Sequence, residues 1–105
     1  MSYTEIVKYF DWSEIKNTHL KTERGIGFED IQAAIEEGRT LADINHPLRS
    51  KYSNQRVFIV EFDEYVYVVP YVEDDKRIFL KTIYPSRKMT KKYLGKRSNS
   101  WNITN

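Results

Sequence analysis

The sequence predicts an α+β fold, with two N-terminal helices packed on a four-stranded antiparallel sheet and a short C-terminal helix. Three observations predict it. Apolar residues recur at helical spacing up to Gly38, and runs rich in Val, Ile, Tyr and Phe follow between residues 56 and 84. The links between those runs are short enough to favour an antiparallel meander. At 105 residues the chain can hold one core but not two, and 40% hydrophobic with 30% charged residues suits a globular domain. The reading is one domain over 1–95, followed by a polar tail over 96–105 that carries one aromatic, Trp101.

The first helix is predicted to start after Ser13, a capping residue, with Glu14 in its first turn and Trp12, Ile15, Leu20 and His19 on its apolar side. Gly25 supplies a left-handed stop. The second helix begins at Phe28, with Glu29 and Asp30 near its positive end, and Phe28, Ile31, Ala34 and Ile35 form its inward stripe before Gly38. Thr40 to Asn45 is a short strand, His46-Pro47 breaks it, and a polar loop runs through Ser50 and Ser53-Asn54. Strands follow over Arg56 to Phe62, Tyr65 to Val72 and Arg77 to Tyr84. The Asp63-Glu64 turn lacks Gly, which leaves its type open. Pro85 ends the last strand, and Ser86 to Leu94 reads as a helix closed by Gly95. Along Tyr65 to Val72, Val66, Val68 and Val72 point one way, and Tyr65, Tyr67 and Tyr71 the other. The valine side is expected to lie under the helices. The tyrosine side then either forms an exposed aromatic surface or completes a two-sided core.

Charge is distributed unevenly. Residues 76 to 97 hold nine Lys or Arg and no Asp or Glu, whereas the whole chain has 17 basic against 15 acidic residues. A net charge of +2 thus conceals a dense basic segment in an otherwise acidic chain. Such a segment is the electrostatic footprint of a polyanion, most often nucleic acid. Without cysteine there is neither a disulfide framework nor a thiolate metal site. His19 and His46 are too few for a His-based metal site, a mixed site with carboxylates stays open, and no cofactor is expected. The opening Met1 to Glu5 has no basic leader, and no apolar run approaches a membrane span. A cytoplasmic protein is expected, so the Asn102-Ile103-Thr104 sequon reads as chance.

Several strings resemble a known family. Phe10-Asp11-Trp12, then Lys16-Asn17, then Gly25-Ile26-Gly27-Phe28-Glu29 is similar to the opening of BrnT-family toxins, F-x-W-D, then K and N, then H-G-I-x-F-E. Ile83 to Lys91 resembles the family's strand end followed by S-A-R-R-A-T-R, with Arg87 and Lys88 as the basic pair and Thr90 as the Thr. Gln55-Arg56 resembles an E-R pair that opens a strand. The likeness spans roughly residues 10 to 94. The acid and Trp of the first motif are swapped, Arg24 stands where the family often has His, and Lys outnumbers Arg in the basic cluster. The resemblance implies a RelE-like fold and a ribonuclease toxin of a type II toxin–antitoxin pair, acting on RNA (free or on the ribosome) and neutralised by a cognate antitoxin.

Metal-independent RNA cleavage needs a base for the 2′-hydroxyl, positive charge on the phosphorane oxygens and a proton for the leaving oxygen. Arg56, Lys81 and Arg87 are the candidates for the catalytic charge, Arg87 with a planar fork that clamps two phosphate oxygens. Lys81, mid-strand between Phe79 and Ile83, is either a base with a lowered pKa or a snorkelling lysine on the sheet rim. Tyr84 either stacks on a base or closes the core. Lys88, Lys91 and Lys92 would hold phosphates, or else form a solvated helix face. His46 is a loop acid–base candidate, although a His before Pro is more often a turn residue. A non-catalytic RNA- or partner-binding domain of the same fold is the competing reading.

Overall fold

A computed structural model describes residues 8–48 and 54–104, with 96–104 described as helix backbone only. The elements are β1 (Tyr9–Asp11), α1 (Glu14–Arg24), α2 (Phe28–Glu36), β2 (Thr40–Asn45), β3 (Arg56–Phe62), β4 (Tyr65–Glu73), β5 (Arg77–Leu80), β6 (Tyr84–Pro85) and α3 (Arg87–Thr104). The α+β class is as expected, but among the described residues the sheet has six strands instead of four, ordered β1-β5-β4-β3-β2 with β6 beside β4. Pairing is antiparallel except for β1, which runs parallel to β5. At three residues β1 is too short to show an alternation, so the sequence gives no periodic signal for it. The polar loop expected through Ser50 and Ser53 lies outside the described residues.

Local chemistry explains both N-terminal helices. Ser13 Oγ accepts from the Lys16 N–H at 3.2 Å to start α1, and Gly25, at φ 69°, closes it in the left-handed region. Ile15, expected on the inward side, is 85% exposed; the residues that α1 buries are Asn17 and Leu20. The stripe on α2 is as expected, with Phe28, Ile31 and Ala34 buried.

The sheet is covered on both faces, which corrects the expected direction of β4. Its front face packs Phe58, Val60, Val69, Tyr71, Leu80 and Ile83 against Leu20, Ile26, Phe28, Ile31 and Ala34 of the α1–α2 half. Tyr71 is only 2% exposed and half-buried Tyr67 packs against the same cluster, so the tyrosine side contributes to the front core at these two positions. The valine side is the back face, where Val57, Ile59, Val66 and Val68 pack against Leu94 of α3. The buried run Val57 to Val60 follows directly, because a strand covered on both sides is apolar at consecutive positions.

Asp63 and Glu64 both have positive φ, 56° and 62°, as a type I′ turn in a two-residue hairpin requires. Neither residue suits that region. Glu64→Gly is expected to stabilise the protein by about 1 kcal/mol. A urea unfolding midpoint that rises at unchanged slope supports this, and an unchanged or lower midpoint counts against it.

The C-terminal helix is also longer than expected, because Gly95 does not stop it. Gly95 is absent from the positive-φ residues, and the polar residues after it continue the helix to Thr104. A glycine within a helix weakens it by about 1 kcal/mol relative to alanine without ending it.

Candidate nucleic-acid interface

The strand-exit region is shaped by a proline. Lys81 N–H donates to the Pro70 carbonyl at 2.8 Å, but Pro70 has no N–H to return the bond. The ladder breaks at this point. Leu80 lies opposite Tyr71 and Tyr84 opposite Val68, so Lys81, Thr82 and Ile83 face only Val69 and Pro70. One extra residue makes a β-bulge, so the expected continuous strand from Arg77 to Tyr84 is split into β5 and β6. Arg24, at the end of α1, donates from Nη1 to the Ile83 carbonyl and ties the bulge to the front layer. Lys81 therefore sits in a bulge and not mid-strand; it is exposed, with Nζ 5.7 Å from the centre of the Phe79 ring.

Beyond the bulge, Tyr84 is 38% exposed and leads into α3. Ser86 caps that helix, its Oγ accepting from Met89 N–H at 3.0 Å. Thr90 Oγ1 donates to the Ser86 carbonyl at 2.8 Å and accepts from Val66 N–H at 2.9 Å, which pins the first turn to β4. The Ser and Thr of the Ser86 to Lys91 string are thus structural, while the basic residues between and after them, Arg87, Lys88, Lys91 and Lys92, are all exposed. Among the described residues none of these four, nor Lys81, pairs with a carboxylate. Arg87 and Lys88 also occupy the positive end of α3, whose first turn holds no acid. Each cation there costs about 0.3–1 kcal/mol against the helix dipole.

Arg56 is differently placed. Its Nε lies 3.1 Å from Asp43 Oδ1 and 3.3 Å from the Tyr71 hydroxyl; Nη1 reaches Asn45 Oδ1 at 3.0 Å and Nη2 the Asp43 carbonyl at 2.8 Å. The bond to Tyr71, then the one to Asp43, raises the Arg56 pKa further. The alternation of the β2–β3 ladder turns that Asp43 carbonyl away from β3, so Arg56 covers an open sheet edge. Arg56 lies on the front face with Tyr71, whereas Lys81 contacts Phe79, which alternates with front-facing Ile78 and Leu80 and so points back. Arg56 and Lys81 are therefore on opposite faces of the sheet.

Burial, and then its bond to Asp43, raise the Tyr71 pKa well above its ordinary value of 10. The neutral phenol is favoured in the folded state. Its contribution to stability is complete below about pH 10 and is lost as pH rises above that value, where the unfolded chain ionises first. Tyr71→Phe should cost about 1–2 kcal/mol at pH 7 and remove that share of the alkaline loss. Thermal unfolding from pH 8 to 11 checks it; parallel curves for the two proteins would contradict it.

The N-terminal motif is likewise a fold device. Asn17, 1% exposed, accepts from Phe28 N–H at 2.8 Å through Oδ1 and donates to Glu29 Oε2 at 2.9 Å through Nδ2. Gly27 has no side chain with which to cap α2, so Asn17 supplies the acceptor across the turn. A Cβ on Gly27 would come within 3.0 Å of Asn17 Oδ1. His46 is a buried turn residue whose Nδ1 accepts from Leu48 N–H at 3.0 Å, and His19 faces outward beside Glu23 at 2.9 Å.

Of the residues singled out in the sequence, the structure gathers Tyr84, Arg87, Lys88, Lys91 and Lys92 on the strand exit and α3, with Lys81 in the bulge before them. Sequence reasoning missed Tyr93, which is 36% exposed with Lys92 Nζ 5.4 Å from its ring centre. A basic–aromatic dipeptide on a helix already called basic was the available signal. Among the described residues no helix is long and apolar enough to cross a membrane, and no three His, Asp or Glu come together as a metal site would need. No family model, curated protein or solved structure matches the chain.

Proposed function

We propose that this chain binds RNA along α3 and the strand exit and cleaves it without metal, as the toxin of a toxin–antitoxin pair with RelE-like architecture. The observation that carries the binding is the set of exposed cations, Lys81, Arg87, Lys88, Lys91 and Lys92, that lack carboxylate partners among the described residues. Elsewhere arginines are tied down, Arg56 to Asp43 and Arg77 to Asp11. Cations retained at the positive end of a helix oppose local stability, and residues that break a local rule mark function more often than folding. Arg87 is the phosphate clamp of this reading, Lys81 a further charge in the bulge that precedes it in the chain, and Tyr84 the ring on which a base stacks. The ribonuclease and antitoxin parts rest on the resemblance of Ile83 to Lys91 and of the N-terminal strings to the BrnT family.

Induced expression is expected to arrest growth, and purified protein to cleave a labelled single-stranded RNA in EDTA; Arg87→Ala should abolish both while leaving the unfolding midpoint unchanged or slightly raised. RNA left intact by the folded wild-type protein would remove the enzymatic reading. The placement of Arg56 and Lys81 on opposite faces favours a second reading, a binding domain that does not cleave. A complex that forms and weakens steeply with salt, without cleavage, would select it.

A further inference from the structure

We infer that Phe79, framed by Arg77 and Lys81 on the back of β5, is a stacking platform for an unpaired base of RNA. The inference rests on the RNA-binding reading above and specifies the form of RNA: single-stranded, with a base free to leave its neighbours.

The placement follows from the sheet. Ile78 and Leu80 enter the front core, so Arg77 and Phe79 project from the back face, and Lys81, in the bulge after β5, keeps its ammonium over the Phe79 ring. On that face the α3 cluster comprises Val57, Ile59, Val66, Val68 and Leu94, flanked by Leu41, Ala42 and Met89; Phe79 is in neither core cluster and is half-buried. β5 thus carries an aromatic ring on the face that α3 shares. The Arg77 guanidinium carbon lies 5.2 Å from the Phe79 ring centre and Lys81 Nζ 5.7 Å.

These two cations differ in a way that suits a base. Arg77 is fixed, 2.5 Å from Asp11 Oδ2 and 3.9 Å from Asp74 Oδ2, so its charge is spent and it holds the ring in place. Lys81 has no carboxylate partner among the described residues and sits on the bulge that Pro70 imposes. A long lysine held to the ring by a cation–π contact alone is easily displaced. A base can take its place on the ring while the ammonium moves to the adjoining phosphate, which combines stacking and charge as single-strand binders do. Tyr9, 57% exposed and paired in register with Arg77, adds a second ring on the same face. The bases of a duplex are already stacked and offer no free face, so the platform discriminates strands by form.

The test measures fluorescence anisotropy of a labelled RNA dodecamer, single-stranded and as a duplex, with the full chain. Wild-type protein is expected to bind the single strand about ten-fold more tightly than the duplex. Phe79→Leu should remove roughly that ten-fold preference without altering the salt dependence, and Phe79→Tyr, which keeps a ring, should retain it. Equal affinity of the wild-type protein for the two forms overturns the platform and leaves RNA binding standing, as does a Phe79→Leu protein that keeps the preference. Absence of binding to either form overturns the RNA reading and the platform together. The strand comparison on wild-type protein stands even where Phe79→Leu fails to fold.

Discussion

Replacing Arg87, Lys88, Lys91 and Lys92 together by Ala is expected to weaken single-stranded RNA binding by at least about 100-fold at low salt, while the protein stays folded. All four are exposed, and none pairs with a carboxylate among the described residues, so their removal breaks no described ion pair. Each phosphate contact on a single strand contributes about 0.7 to the slope of log affinity against log salt, so losing four should flatten the slope by roughly 3. The variant should also unfold at the same or a higher temperature, because Arg87 and Lys88 work against the dipole of α3. Titrations at several salt concentrations, with a melting curve for each protein, test both halves. An unchanged slope would mean that RNA is held elsewhere.

The second large effect concerns the fold. Asn17→Ala is expected to cost about 3 kcal/mol, a buried N–H at Phe28 being orphaned while Glu29 loses its amide partner. In a domain of this size that lowers the melting temperature by roughly 15 °C. Asn17→Asp is more informative: it keeps the acceptor for Phe28 but sets a carboxylate against Glu29. The Asn17 amide, followed by the backbone N–H of Glu29 itself, lowers the Glu29 pKa below its ordinary 4.5. In the wild-type protein that contribution is present above about pH 4.5 and is lost as pH falls through the lower folded value. In Asn17→Asp the sign reverses, and acid should relieve the repulsion. A gap between the two proteins that narrows from pH 7 to pH 4 supports the account, and a constant gap contradicts it.

The elements legible in the sequence are those with a strong local signal. Ser13, Gly25 and the Phe28–Ile31–Ala34 stripe mark the helices, and β-branched and aromatic runs mark β3 and β4. What stayed hidden was long-range. The consecutive buried residues Val57 to Val60 already imply a sheet covered on both faces, yet alternation along β4 alone does not say which face meets which helices. That depends on α3 crossing the back, and Gly95 conceals the length of α3 because nothing in the sequence shows it to be right-handed. The bulge at Lys81 is traceable to Pro70, but only once the two are known to be paired. For the site, the charge run located the cations, whereas Arg56 looked equivalent to Arg87 until its bonds to Asp43, Asn45 and Tyr71 were seen. The resembling N-terminal strings follow the same logic, since Asn17, Gly27 and Glu29 build the α1–α2 corner and carry no free chemistry.

Ultraviolet crosslinking of the protein to a single-stranded RNA, with the attached residues identified by mass spectrometry, tests the central claim most directly. Crosslinks are expected at Tyr84 and Tyr93 and within the β5 strip around Phe79, in the segment whose cations lack carboxylate partners among the described residues. Crosslinks confined to the outer face of α1, around Ile15 and His19, or none at all from a protein shown to be folded, would contradict it.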